Sequence, residues 1–168
     1  MTTRLNQNIT LSDGRKLGFA EYGNTKGNPI FLFHGQPGNR LFRHPDDSIL
    51  HSLNVCLITV DRPGYGLSDF LPNRKLLDWA QDIIELADTL DIESFPVIGF
   101  SGGGPYAAAC GYGISHRVTK IGLAASTLPM TTPEIRKNIP VPLRINYLLA
   151  HYAPALLKFL FKTYWGNS

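Results

Sequence analysis

Gly99-Phe100-Ser101-Gly102-Gly103 decides the fold because of what flanks it. Before it runs Phe95-Pro96-Val97-Ile98, a short apolar stretch that reads as a buried strand. After it, Pro105 to Gly113 is rich in alanine and reads as a helix. The five residues fit Gly-x-Ser-x-Gly, so Ser101 is expected on a sharp strand-to-helix turn. Such a turn pushes Oγ out of the sheet, with a helix N-terminus behind it. Gly99 and Gly103 are expected there because side chains would strike the adjoining strand and helix. A serine so placed is a candidate nucleophile, which needs a histidine base and usually an acid to orient it.

Working outward, the chain alternates strands and helices. Ile9-Thr10-Leu11 and Leu17-Gly18-Phe19-Ala20 flank Asp13-Gly14, a hairpin turn signal. Ile30-Phe31-Leu32-Phe33 and Val55 to Val60 are continuous apolar runs, as in strands covered on both faces. Between them, about Leu41 to Leu53 is long enough for a helix, with Pro45 limiting its start. Leu76 to Leu90 places Leu76, Trp79, Ala80, Ile83, Leu86, Ala87 and Leu90 on one helical face, with its acids mostly opposite. Gly102 to about Ser115 is expected to be the helix after the serine, and Val118 to Ala125 a fourth buried strand. This order implies a mostly parallel, doubly wound α/β sheet opened by an N-terminal hairpin. Sites in such sheets lie beyond the carboxyl ends of the strands. His34-Gly35, Asp61-Arg62 and Ser101 each follow a strand, so they should meet at one rim.

The pattern changes after Ser126. Pro129, Pro133, Pro140, Pro142 and Pro154 break the segment, with apolar helical pieces at Leu143 to Ala150 and Ala155 to Trp165. Two domains are expected: residues 1–128 as the sheet-bearing core and 129–168 as the beginning of a helical lid or cap. Arg144, Asn146, His151, Pro154, Lys158 and Lys162 argue against a membrane span in this segment.

The 168 residues suit one main domain, and 43% hydrophobic against 17% charged residues is a globular balance. The formal net charge of +3 is mild and its basic residues are scattered, so no nucleic-acid surface is expected. Cys56 and Cys110 sit in apolar runs and read as reduced core residues. The N-terminus lacks the apolar core of a signal peptide, and a cytoplasmic location with no transmembrane segment is expected. No Cys/His cluster has ligand spacing, and Gly102-Gly103-Gly104 makes no dinucleotide fingerprint, so neither a metal nor an organic cofactor is implied.

From Ile9 to Met130 the chain resembles the α/β-hydrolase family, in the branch of lid-bearing esterases, lipases and proline-iminopeptidase-like enzymes. The resemblance rests on His34-Gly35-Gln36-Pro37-Gly38, Asp61-Arg62-Pro63-Gly64-Tyr65-Gly66-Leu67-Ser68 and Gly99-Phe100-Ser101-Gly102-Gly103, each after a strand and in this order. It implies a serine hydrolase that acts on small ester- or amide-type acyl substrates through an acyl-enzyme on Ser101. The backbone N–H groups of Gln36 and Gly102 would be the oxyanion donors. His34, Gly35 and Gly38 would shape the oxyanion loop. Asp61 and Arg62 would hold turns at the sheet rim, with Gly99 and Gly103 supporting the serine turn. Serine at position 101, where aspartate would be needed, argues against a haloalkane dehalogenase or epoxide hydrolase.

The family order is Ser, then Asp or Glu, then His. After Ser101 only His116, His151 and Glu134 remain, and none is expected to serve, so the triad acid and histidine have no counterpart in this chain. Three explanations follow: an N-terminal piece of a hydrolase, half of an enzyme completed by a second chain or oligomer, or a stand-alone remnant. The alternative function is a catalytically incomplete fragment or non-catalytic binding module on the same fold. Acyltransferase or cofactor-free peroxidase chemistry would use the same site.

Overall fold

A computed structural model describes residues 4–127 and 137–165, with side chains as far as residue 163. Six strands form one sheet: β1 (Arg4–Thr10), β2 (Lys16–Gly23), β3 (Asn28–Phe33), β4 (Val55–Val60), β5 (Phe95–Phe100) and β6 (Val118–Ala124). Their spatial order is β1-β2-β4-β3-β5-β6. β1 and β2 form the antiparallel hairpin, and β2 also runs antiparallel to β4. From β4 through β3 and β5 to β6, every neighbour is parallel. The mostly parallel sheet with an N-terminal hairpin is thus the architecture the sequence pattern implied.

Helices cover both faces. On one, α2 (Asp78–Thr89) and α3 (Gly104–Gly113) bury Trp79, Ile83, Leu86, Ala107 and Cys110 against Phe31, Phe33, Ile58 and Val60. On the other, the short α1 (Ser48–Ser52) lays Leu50 over Tyr22, Leu32, Val55 and Leu57. The alternation of Phe31, Leu32 and Phe33 between the two clusters is the period of two expected of a strand buried on both sides. Cys56 and Cys110 are buried free thiols, and burial pushes their pKa values up to about 11 and about 12.

Three expectations need correction. The helix expected over about Leu41 to Leu53 shrinks to Ser48–Ser52. Local bonds win upstream of it: the Asn39 side chain accepts the Leu41 N–H at 2.9 Å, and Asp61 draws in the Arg40 N–H at 2.6 Å. The Asp46 side chain likewise takes the Ser48 N–H at 2.9 Å. Asp82, placed among the outward-facing acids of α2, is instead buried and paired with Arg15 at 2.6 Å. Burial raises the pKa of Asp82, and the Arg15 hydrogen bond opposes that rise.

β6 is an edge strand, and Ile121 and Leu123 on it are about half exposed, at 47% and 54%. This strand is buried less than the sequence reading expected.

The chain divides into two compact units, one ending at Thr127 and one beyond it. The second holds α4 (Val141–Tyr152) and α5 (Pro154–Trp165), which contact each other. Pro142 falls in the first turn of α4, where its missing N–H costs nothing. The expected boundary at 128/129 and the acid Glu134 lie outside the described residues. Among the described residues, no helix is long and apolar enough to cross a membrane.

Candidate active site

Phe33 pairs in register with Val60 on one side and Gly99 on the other. Three parallel strands therefore end at one rim, and the residues leaving them emerge side by side. The structure brings together His34-Gly35-Gln36, Asp61-Arg62 and Ser101.

Ser101 has φ +49°, a left-handed conformation that costs a residue with a Cβ. It opens a 3₁₀ turn, Ser101–Gly103, that runs directly into α3. The turn fits only because the backbone approaches itself closely. A Cβ on Gly99 would lie 2.5 Å from the Gly103 carbonyl oxygen. One on Gly35 would lie 3.2 Å from the Ser101 Cβ, which puts the loop after β3 directly against the serine. A Cβ on Gly102 would be 3.6 Å from the Gln36 nitrogen, so the N-terminus of the turn and Gln36 are neighbours. Gly38 folds back until its Cβ position is 3.0 Å from both the Gly35 carbonyl and His34 Nδ1. The Gln36–Pro37 peptide bond in this loop is cis.

His34 is buried, 1% exposed. Its Nδ1 lies 2.8 Å from the Gly35 carbonyl, which can only accept, so Nδ1 carries the proton. Nε2 then accepts the Arg62 backbone N–H at 3.3 Å. Both ring nitrogens are engaged, and the Arg62 guanidinium Nη2 also lies 3.4 Å from Nδ1. Burial first, and the Arg62 charge second, depress the His34 pKa to about 4, against the opposing Gly35 bond and Asp61 charge.

This depression links stability to pH. An unfolded histidine titrates near 6.5. Between pH 6.5 and 4 the unfolded chain binds a proton that the folded chain refuses, so stability falls as pH drops through that window. The full swing is ~3 kcal/mol. His34→Gln should flatten this part of the stability profile, checked by urea unfolding of both proteins at pH 7 and pH 4.5. Equal slopes would mean that His34 does not titrate differently on folding.

Asp61 is fully buried and saturated with donors. Its carboxylate accepts Arg40 N–H at 2.6 Å, Arg40 Nη1 at 3.1 Å and Leu67 N–H at 2.8 Å. Ser68 Oγ donates to its carbonyl at 2.8 Å and also accepts the Gly18 N–H at 2.9 Å. Asp61 therefore ties the loops after β3 and β4 to the hairpin. Asp61→Ala would strand the buried Arg40 guanidinium and should cost about 3–5 kcal/mol in a urea titration. A loss below about 1 kcal/mol would show that Arg40 finds water on its own.

Arg62 is 2% exposed, and no carboxylate pairs with it among the described residues. Its Nη2 donates to the Gly35 carbonyl at 2.8 Å, and its Nη1 to the Gly102 carbonyl at 3.1 Å. The rings of Tyr65 and Tyr106 each lie 4.9 Å from its guanidinium carbon. Burial lowers its pKa.

Four participants escaped the sequence reading. Arg40 and Thr127 carry no motif, and Tyr65 and Tyr106 read as loop and helix residues. Thr127 donates its backbone N–H to the Ser101 carbonyl at 3.1 Å. His116 lies past the C-terminus of α3, a helix roughly 15 Å long that starts at the serine turn. No group of three His, Cys, Asp or Glu is placed to hold a metal ion among the described residues.

A left-handed serine turn thus faces a glycine loop at the ends of parallel strands, and sequence comparison gives the family. The chain belongs to the alpha/beta hydrolase fold family, whose model matches residues 28–154. It is 33% identical over 123 residues to an uncharacterized hydrolase of Bacillus subtilis, covering 73% of this chain and 42% of that protein. It is 28% identical over 141 residues to the non-heme chloroperoxidase of Streptomyces lividans, covering 82% of this chain and 50% of that protein. An esterase structure from Exiguobacterium antarcticum superposes with a TM-score of 0.64 at 26% identity, over 94% of this chain and 60% of that one. The chain spans half or less of the length of these two curated relatives.

Proposed function

We propose that the chain carries the nucleophile and oxyanion hole of a serine hydrolase for small acyl substrates, esters or amides. The observation that supports this most is the left-handed Ser101, packed against Gly35 and followed by Gly102 beside Gln36. In this reading Ser101 Oγ attacks the acyl carbonyl, and a base takes the hydroxyl proton. The carbonyl oxygen becomes an oxyanion, held by the N–H groups of Gln36 and Gly102. The carbon–oxygen or carbon–nitrogen bond to the leaving group breaks, and the base returns the proton to that group. Water or another acceptor then takes the acyl group, so hydrolysis and acyl transfer share the first half.

His34 is not that base, because both ring nitrogens are engaged and its pKa is about 4. Asp61 is not its acid, because its oxygens are filled by Arg40 and Leu67. Their roles are supporting ones, and in this reading base and acid come from outside this rim. Hydrolysis is the proposed function, and this rim supplies the attacking and stabilising groups.

The test is labelling of the purified chain with a fluorophosphonate, read by intact mass and peptide mapping. The Oγ–phosphorus bond forms, fluoride leaves, and the proton passes to solvent. A slow adduct confined to Ser101 and absent from Ser101→Ala is expected, since the oxyanion hole alone retains some rate. A folded sample that stays unmodified would leave a binding module in place of a nucleophile.

A further inference from the structure

We infer that Arg62 is a positioning residue of the oxyanion hole, aiming the Gln36 N–H at the reacting carbonyl. The inference rests on the serine-hydrolase reading, but its geometry stands separately. In a trans peptide unit the carbonyl and the following N–H point in opposite directions within one plane. The Gln36 N–H shares its plane with the Gly35 carbonyl. That carbonyl is gripped from behind by Arg62 Nη2 and His34 Nδ1, both at 2.8 Å. Fixing the oxygen fixes the opposite N–H, so the donor cannot turn without breaking two bonds.

The second donor is braced in the same manner. The Gly102 N–H shares its plane with the Ser101 carbonyl, which accepts the N–H groups of Thr127 and Gly104. Arg62 Nη1 holds the other side of Gly102 through its own carbonyl at 3.1 Å. One guanidinium therefore bridges both loops that supply donors. Its planar fork suits that span, and a lysine ammonium could reach only one carbonyl at a time.

The charge state of the bridge is informative too. A buried cation is ordinarily neutralised by a carboxylate. The neighbouring acid Asp61 is committed to Arg40, and Arg62 is solvated by carbonyls and by the faces of two tyrosines. Among the described residues no carboxylate compensates its positive charge, which stands behind the point where negative charge would develop. A Cβ on Gly102 would be 3.8 Å from Nη1, which measures how close that charge stands.

The test compares Arg62→Met and Arg62→Lys with the parent chain in two measurements. The first is fluorophosphonate labelling over a range of reagent concentrations. Positioning predicts that Arg62→Met lowers the maximal labelling rate by about 10–100-fold with reagent affinity unchanged, and that Arg62→Lys recovers part of it. The second is the amide spectrum of ¹⁵N-labelled protein. Arg62→Met should move the Gln36 and Gly102 signals and leave those of Ile58 and Val60 in the core in place. If the parent labels and Arg62→Met labels within about twofold of it, the inference is overturned. If the parent does not label, the serine-hydrolase reading fails and the amide spectrum decides alone. Shifts confined to Gln36 and Gly102 would then support the brace, and unmoved or globally scattered signals would refute it.

Discussion

Replacing Ser101 by glycine is expected to erase covalent labelling and to give a more stable protein than replacing it by alanine. The reason is the backbone, which holds Ser101 at φ +49°. A side chain there costs of order 1–3 kcal/mol, which glycine avoids. Glycine also loses more freedom on folding, by roughly 0.5–1 kcal/mol, which offsets part of the gain. Ser101→Gly should therefore exceed Ser101→Ala in stability by about 1 kcal/mol. Intact mass reads the first effect and thermal unfolding the second. Equal stability of the two variants would remove the strain argument, and a surviving adduct would move the nucleophile elsewhere.

A large structural effect is also expected from Gly103→Ala. A methyl group there would run into the Phe33 carbonyl oxygen, with the Phe33 carbonyl carbon at 2.7 Å and the His34 oxygen at 2.8 Å. All three are backbone atoms at the end of β3, which pairs with β4 and β5 at this point. They cannot yield without disturbing that pairing. Ordinary overpacking costs about 1–3 kcal/mol when side chains can give way, so Gly103→Ala should lose at least about 3 kcal/mol. Gly122→Ala is the control, because its new methyl would meet only the Ile98 side chain, at 3.3 Å. Urea titrations of both variants check the contrast. Similar losses at the two positions would show that α3 can slide away from the sheet.

Much of this was legible in the sequence, because local signals and global fold agree. The Asp13-Gly14 turn, the continuous runs of β3 and β4, and the apolar face of α2 each carry their own periodicity. The serine turn announces itself through glycines that only a close backbone approach requires. What stayed hidden lacks a period. Arg40 belongs to no motif, yet it neutralises Asp61 across 21 positions of sequence. Its pull on the loop is also why the helix expected there begins only at Ser48. Asp82 looked like a surface acid because its partner, Arg15, sits 67 positions away on the hairpin. The role of Arg62 depends on which carbonyls face it, and no sequence pattern encodes that.

The register of β3 sets an order of events in folding. Its last residue, Phe33, must pair with both Val60 and Gly99 before the three turns share a rim. Those partners are far apart in sequence, and joining distant segments is slow compared with forming a hairpin or a helix. The hairpin and α2 can form early with no trace of the site. The proposed oxyanion hole would come into being only when the middle of the sheet closes, so covalent labelling of Ser101 would also report the completeness of folding.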